Sequence, residues 1–181
     1  TLWGQFEARD VTEEGLVAQW SGTGPTRVPL APLPAFLSRD SERHDYGTKD
    51  LSAGMTVEVV ITLTNLDAGQ VLLDNRSDDG KGLALQTTTR GTLEITLNDG
   101  RTENRWDSDM VLLAAGEQHH VGIVIDGGPK VVSFVLDGTL CDGGTDRPFG
   151  WGRFSRDLRD VNGVAQLSIG AGVQLMRVYD R

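Results

Sequence analysis

Two runs of alternating apolar residues, folded back on each other, constrain this chain most. The first is Gln118-His-His-Val-Gly-Ile-Val-Ile-Asp126 and the second is Val131-Val-Ser-Phe-Val-Leu-Asp-Gly138, with Gly127-Gly128-Pro129-Lys130 between them. β-Branched residues of strand length on either side of a Gly-Gly-Pro turn predict an antiparallel hairpin. Side chains alternate across a strand, so Val121, Ile123 and Ile125 share one face, as do Val132, Phe134 and Leu136. These six are the predicted core. The hairpin opens into Cys141 to Phe154, a loop punctuated by Gly143, Gly144, Pro148, Gly150 and Gly152. That loop also holds Phe149, Trp151 and Phe154, three large aromatics that a simple connector does not need.

The same period of two recurs along the chain. Val57, Val59, Ile61 and Leu63 alternate with Glu58, Val60 and Thr62; Leu83 and Leu85 form the next piece; Leu93, Ile95 and Leu97 alternate with Glu94, Thr96 and Asn98. Asp99-Gly100 is a two-residue hairpin turn leading into Thr102 to Trp106. That strand is polar on both faces, which predicts an edge position or a cover other than core. A helical stripe never exceeds a turn or two, with Ser155 to Asp160 the one candidate turn. Short strands at close spacing predict an all-β sandwich or barrel.

The N-terminal third is less regular. Leu2 to Phe6 and Leu16 to Trp20 read as short strands, with Trp3 and Trp20 as core plugs. Residues 21–50 read as an irregular connection within the domain. Its first part, Ser21 to Pro34, carries Pro25, Pro29, Pro32 and Pro34, which remove backbone donors. Its second part, Phe36 to Asp50, is densely charged around Tyr46. Twenty residues ahead of this connection are too few for a separate unit, so residues 1–181 are expected to form a single domain. The chain has one cysteine, Cys141, so the core must hold without a disulfide. A net charge of −9 argues against nucleic-acid and membrane-surface partners, because both are polyanionic. There is no apolar run of membrane-spanning length. The opening Thr1-Leu2-Trp3-Gly4 has no signal-peptide pattern and reads as a processed or excised start.

The His119-His120-Val121 start of one strand and the Val135-Leu136-Asp137-Gly138 end of the next resemble the central hairpin of laminin-G-like domains, in the concanavalin A-like jelly-roll superfamily. Val71-Leu-Leu-Asp-Asn-Arg76 followed by Lys81-Gly-Leu-Ala-Leu85 is similar to that family's strand, loop and strand ahead of its middle. Leu175-Met-Arg-Val-Tyr-Asp-Arg181 is similar to its closing strand. The likeness spans Val57 to Arg181. It implies a two-sheet antiparallel β-sandwich of jelly-roll type. It also implies a lectin-like, carbohydrate-binding accessory module of a larger bacterial carbohydrate-active enzyme, extracellular or periplasmic. The partner is then a glycan, or a neighbouring catalytic domain in the alternative reading of a structural or docking module. Relatives often hold a structural calcium through an Asp shortly before the closing strand; here that place is taken by Gln174.

Catalytic patterns of the superfamily are missing. Retaining glycoside hydrolysis needs two carboxylates about 5 Å apart, yet Glu58 and Glu94 stand singly on their strands, without a Glu-x-Asp-x-x-Glu run. The Gln-x-His and Tyr pattern of jelly-roll lyases is absent, as are a Gly-x-Ser-x-Gly elbow and zinc-type ligand spacing. The isolated chain is therefore expected not to be an enzyme; an unrecognised hydrolase or lyase site is the third alternative. Sugar binding needs an aromatic face for the C–H patches and fixed polar groups for the hydroxyls. The candidate ligand-binding residues are Asp74, Asn75, Arg76, Trp106, Arg147, Trp151 and Arg153. Trp151 suits either a ligand platform or a packed loop anchor, and Trp106 suits either stacking or edge packing.

Overall fold

A computed structural model describes residues 15–36 and 54–180. They form thirteen strands and no helix. In chain order these are β1 (Leu16–Ser21), β2 (Thr26–Pro29), β3 (Gly54–Thr62), β4 (Val71–Asp74), β5 (Gly82–Thr87), β6 (Leu93–Asn98) and β7 (Glu103–Asp107). There follow β8 (Gln118–Asp126), β9 (Val131–Leu136), β10 (Thr139–Leu140), β11 (Trp151–Arg153), β12 (Gln166–Ile169) and β13 (Val173–Tyr179). One sheet runs β1-β13-β3-β8-β9, with β10 and β11 both on the far edge of β9; the other runs β2-β12-β4-β5-β6-β7. Every pairing is antiparallel. The all-β antiparallel sandwich expected from the alternation is the fold.

The predicted hairpin is β8–β9, with Ile123 opposite Phe134, and all six predicted core residues are buried. They pack with Val57, Val59 and Ile61 of β3 and, from the second sheet, with Leu73, Leu85, Ile95 and Leu97. The alternation put the apolar set on one face, and burying that face between two sheets is the dominant stabilisation. β7, the strand polar on both faces, does lie at the edge of the second sheet.

Two local readings change. Within the proline-rich stretch expected to be irregular, Thr26 to Pro29 pairs with β12. β2 is an edge strand, where a proline's missing N–H leaves no ladder bond unmade. Ser155 to Asp160 makes a single turn closed by Leu158 N–H to Ser155 C=O, not a helix. The predicted strand Leu2 to Phe6, Trp3 and most of the charged Phe36 to Asp50 stretch lie outside the described residues. Phe36 itself is buried, its ring 5.3 Å from that of Phe154. Trp20 is half-buried against the core.

Candidate functional site

The aromatic loop is an excursion from one edge strand. β10 pairs with the end of β9, Leu140 opposite Val135, and Cys141 N–H still donates to Phe134 C=O. The chain then leaves the sheet and returns at Trp151, opposite Ser133 of the same strand. At the neck, Gly150 lies so near Cys141 that a Cβ there would sit 1.8 Å from the Cys141 carbonyl oxygen. Only glycine permits that approach. Burial pushes the Cys141 thiol up from its ordinary pKa, so it stays a packed, unreactive group.

The loop is tied down from the other sheet. Arg147 donates to Asp107 Oδ1 and the Asp107 carbonyl at 3.0 Å each, and to Asp109 Oδ1 at 2.6 Å. Its guanidinium lies 4.3 Å over the Trp106 ring. Asp109 also accepts the Gly143 amide at 2.9 Å, and Arg90 pairs with Asp146. Trp106 is held from the opposite side by Gly152, whose Cα hydrogen faces the indole. Arg147 and Trp106 together form the clasp between the loop and β7. The Arg147 guanidinium and the faces of the Trp106 ring are taken up by the protein itself.

What the clasp presents to solvent is Trp151, 45% exposed, and Phe149, 55% exposed, with ring centroids 4.9 Å apart at 40°. Trp151 and Arg153 flank Gly152 on β11, so they share its outer face, about 7 Å apart along the strand. Arg153 is exposed and has no ion pair or hydrogen bond among the described residues. Two aromatic faces and a free guanidinium on a sheet edge make a shelf that matches the chemistry of a sugar ring.

The Asp74 loop lies elsewhere, on the second sheet. Asp74 receives Arg76 Nη2 at 2.6 Å and Nε at 3.0 Å, a bidentate pair. Asn75 is 1% exposed: its Oδ1 takes the Leu83 amide at 2.7 Å, its Nδ2 reaches the Val161 carbonyl, and its backbone carbonyl takes the Val164 amide. Asn75 thereby fastens β5 to the segment before β12. Register places Asp74, Ala84, Thr96 and Arg105 in one row across the sheet. Arg105 is bound to Glu103 at 2.8 Å. The seven candidates thus divide into the β11 shelf (Trp151, Arg153), the clasp (Trp106, Arg147), a surface pair (Asp74, Arg76) and the buried Asn75.

Two further clusters explain sequence features. His119 is buried, with Nδ1 2.7 Å from Asp137 Oδ2, while Nε2 accepts the Ala114 amide at 3.0 Å. That acceptor role puts the His119 proton on Nδ1, donating to Asp137. Asp137 Oδ1 accepts the His120 amide. The His-His-Val and Leu-Asp-Gly signature therefore forms a lock on the hairpin. Burial would raise the Asp137 pKa; the bonds from His119 and the His120 amide outweigh it and hold the carboxyl below its ordinary value. On β3, Glu58 faces His120 Nε2 at 2.7 Å, Arg177 Nη1 at 3.3 Å and Tyr179 Oη at 3.3 Å. Burial again opposes ionisation of Glu58, and the bonds to His120 and Arg177 prevail and lower its pKa.

The calcium place does not fit the ion. Gln174 donates from Nε2 to Thr62 Oγ1 at 3.3 Å, and its Oε1 takes Gln118 Nε2 at 2.5 Å. Among the described residues no three His, Cys, Asp or Glu side chains gather as a metal-holding group. Calcium prefers several carboxylate oxygens. An amide already bonded on both sides offers little in their place.

No family model and no curated protein matches the chain. Solved structures do. The CBM40 module of a Ruminococcus gnavus IT-sialidase, bound to α2,3-sialyllactose, is 16% identical with a TM-score of 0.58, over 92% of this chain and 93% of that one. A leech intramolecular trans-sialidase is 15% identical with a TM-score of 0.56, over 93% of this chain and 26% of that one. A botulinum neurotoxin type C chain is 11% identical with a TM-score of 0.52, over 71% of this chain and 32% of that one. These likenesses establish the jelly-roll β-sandwich fold.

Sequence reasoning missed Asn104, Asp107 and Asp109. Each is a common polar residue with no motif around it, and its partners in the loop and the turn after β11 lie 34 to 51 positions away. The one available signal was the polarity of β7 on both faces.

Proposed function

We propose that this domain is a non-catalytic carbohydrate-binding module, an accessory of a larger glycan-active enzyme outside the cytoplasm. The observation that carries the reading is the Trp151–Phe149 shelf with Arg153 beside it. Soluble domains rarely leave two large aromatics in contact and half-exposed unless the surface is used. A pyranose face stacks on such rings, and the guanidinium supplies donors for hydroxyl or carboxylate oxygens. The likeness in fold to a sialidase module with bound sialyllactose supports a glycan as the partner. Non-catalysis is supported by the carboxylates: Asp107 and Asp109 are held by Arg147, and Glu58 by His120, Arg177 and Tyr179.

A docking role is the second reading, favoured by one observation. Ser133, beside Trp151, is also opposite Val124, which is 42% exposed, and Leu140 on the same sheet edge is 57% exposed. Isothermal titration with sialyllactose and with a panel of neutral oligosaccharides separates the two. For a glycan platform, Trp151→Ala lowers affinity at least tenfold with a melting temperature within about 2 °C of the parent. A folded Trp151→Ala variant with unchanged affinity for a bound glycan removes the shelf from the reading.

A further inference from the structure

The shelf is one end of a row that crosses the first sheet. Trp151 of β11 lies opposite Ser133 of β9, Ser133 opposite Val124 of β8, Val124 opposite Thr56 of β3, and Thr56 opposite Tyr179 of β13. Directly opposite residues share a face of a sheet. The alternate positions on the same strands, among them Phe134, Ile123, Val57 and Val178, are buried in the core. The row therefore lies on the outer face. At about 4.8 Å per strand its four steps span roughly 19 Å, the reach of several sugar rings.

The shape of the row is a trough. An aromatic ring stands at each end and short side chains lie between, with Val124, at the middle, 42% exposed. Gly122, the next outward position on β8, adds no side chain to the wall. Tyr179 donates its hydroxyl to Glu58 Oε2 at 3.3 Å, across on β3, which tips the ring toward the middle of the row. Charge says what the trough takes. None of the five side chains is charged, in a protein of net charge −9. The groups that flank them, Glu58 near Tyr179 and Asp126 two positions from Val124, are carboxylates. His120 and Arg177 are both bonded to Glu58, so their charge is answered there. A chain with an anionic group on every ring would meet carboxylates along the row, whereas sugar hydroxyls find acceptors in them.

We propose that this row is the floor of a trough for a linear, uncharged glycan, with one ring on Trp151 and Phe149 and a later one on Tyr179, so that the module binds chains in preference to single sugars. The proposal rests on the reading of Trp151 and Phe149 as a sugar platform. It adds Ser133, Val124, Thr56 and Tyr179 to the contact set. Val124 gives apolar contact beneath a ring face, Ser133 a hydroxyl beside it, and Tyr179 a second aromatic surface.

The test is NMR of the whole chain labelled with ¹⁵N, following the Trp151 indole and the backbone amides of Ser133, Val124, Thr56 and Tyr179. The probes are cello-, malto-, xylo- and N-acetylchito-oligosaccharides, each from the single sugar to the hexaose, with oligogalacturonates of the same lengths as charged counterparts. For at least one neutral series, affinity should rise at least tenfold from the single sugar to the longer chains. Single sugars should move the Trp151 indole alone, and longer chains should move it together with the four amides. Val124→Arg, an exposed change that raises a long side chain in mid-row, should abolish the gain with length, and Tyr179→Ala should reduce it. A Trp151 shift that is the same for every length, with the amides still, overturns the trough and leaves the platform. A gain with length that survives in a folded Val124→Arg variant does the same. Oligogalacturonates that bind more tightly than every neutral series overturn the trough as a site for uncharged chains. Movement of the amides without Trp151 overturns the platform and the proposal with it. If no sugar moves any of the five signals, both readings fall.

Discussion

Arg147 and Arg153 stand six positions apart in one loop and do opposite things. Arg147 has a side chain only 14% exposed, with two carboxylates and an indole ring around it. Removing it leaves the buried Asp109 carboxylate without a counter-ion and Asp107 with Arg90 alone, 3.7 Å away. Arg147→Ala should therefore destabilise by about 3–5 kcal/mol, the range for breaking a buried pair from one side. Arg153→Ala should change stability by less than about 0.5 kcal/mol, as surface changes do. Urea unfolding of the two variants checks the contrast. Equal losses would mean that Arg147 is not the clasp. The same distinction separates Asn75 from Arg76: one amide is consumed by two backbone segments, the other group sits in a surface pair of small net worth.

At the level of elements, the decisive feature is an edge strand interrupted by a loop. β10 and β11 occupy successive positions along β9, and the excursion between them crosses to the edge of the other sheet. The sandwich is thereby closed at its open side by Trp106 under Gly152. A methyl at Gly152 would lie 2.4 Å from the indole, and both backbones there are held by sheet pairing. Gly152→Ala should cost about 1–3 kcal/mol through overpacking, and should quench or shift the Trp106 fluorescence as the ring is displaced. A melting temperature equal to the parent's would show that β11 and β7 are not in contact. Glycine here serves close approach, a role a turn-based reading of the loop does not reveal.

For the whole molecule, the charge balance sets the response to acid. Glu58 and Asp137 both have folded-state pKa values below their unfolded ones. For a depressed carboxyl, the stabilisation is fully present above the unfolded value and is lost as pH falls through the folded one. The melting temperature should thus change little between about pH 7 and pH 5 and fall below roughly pH 4, where unfolded carboxyls begin to bind protons that the folded ones refuse. Glu58→Gln should flatten part of that fall. A variant with the parent's acid slope would show that the His120 and Arg177 partners do not hold Glu58.

Alternation of period two in β3, β6, β8 and β9 was enough to set the all-β class and the six-residue hairpin core, while the polarity of Thr102 to Trp106 left an edge as one of two options that the structure then decided for β7. The class and the hairpin core depend only on which face of a strand is apolar, and that is local information. The site was legible only in part. Trp151 and Arg153 stood out because large aromatics and arginines on a glycine-rich loop are conspicuous by type. The sequence had no means of showing that Arg147 turns inward to Asp107 and Asp109, or that Asn75 is saturated by backbone. Nor did it show that the Asp74 loop belongs to the second sheet while the shelf belongs to the first. Those outcomes depend on contacts between residues dozens of positions apart, made only when the two sheets stack. Charge, type and period are properties of the chain; which donor meets which acceptor is decided by the packing of the sandwich.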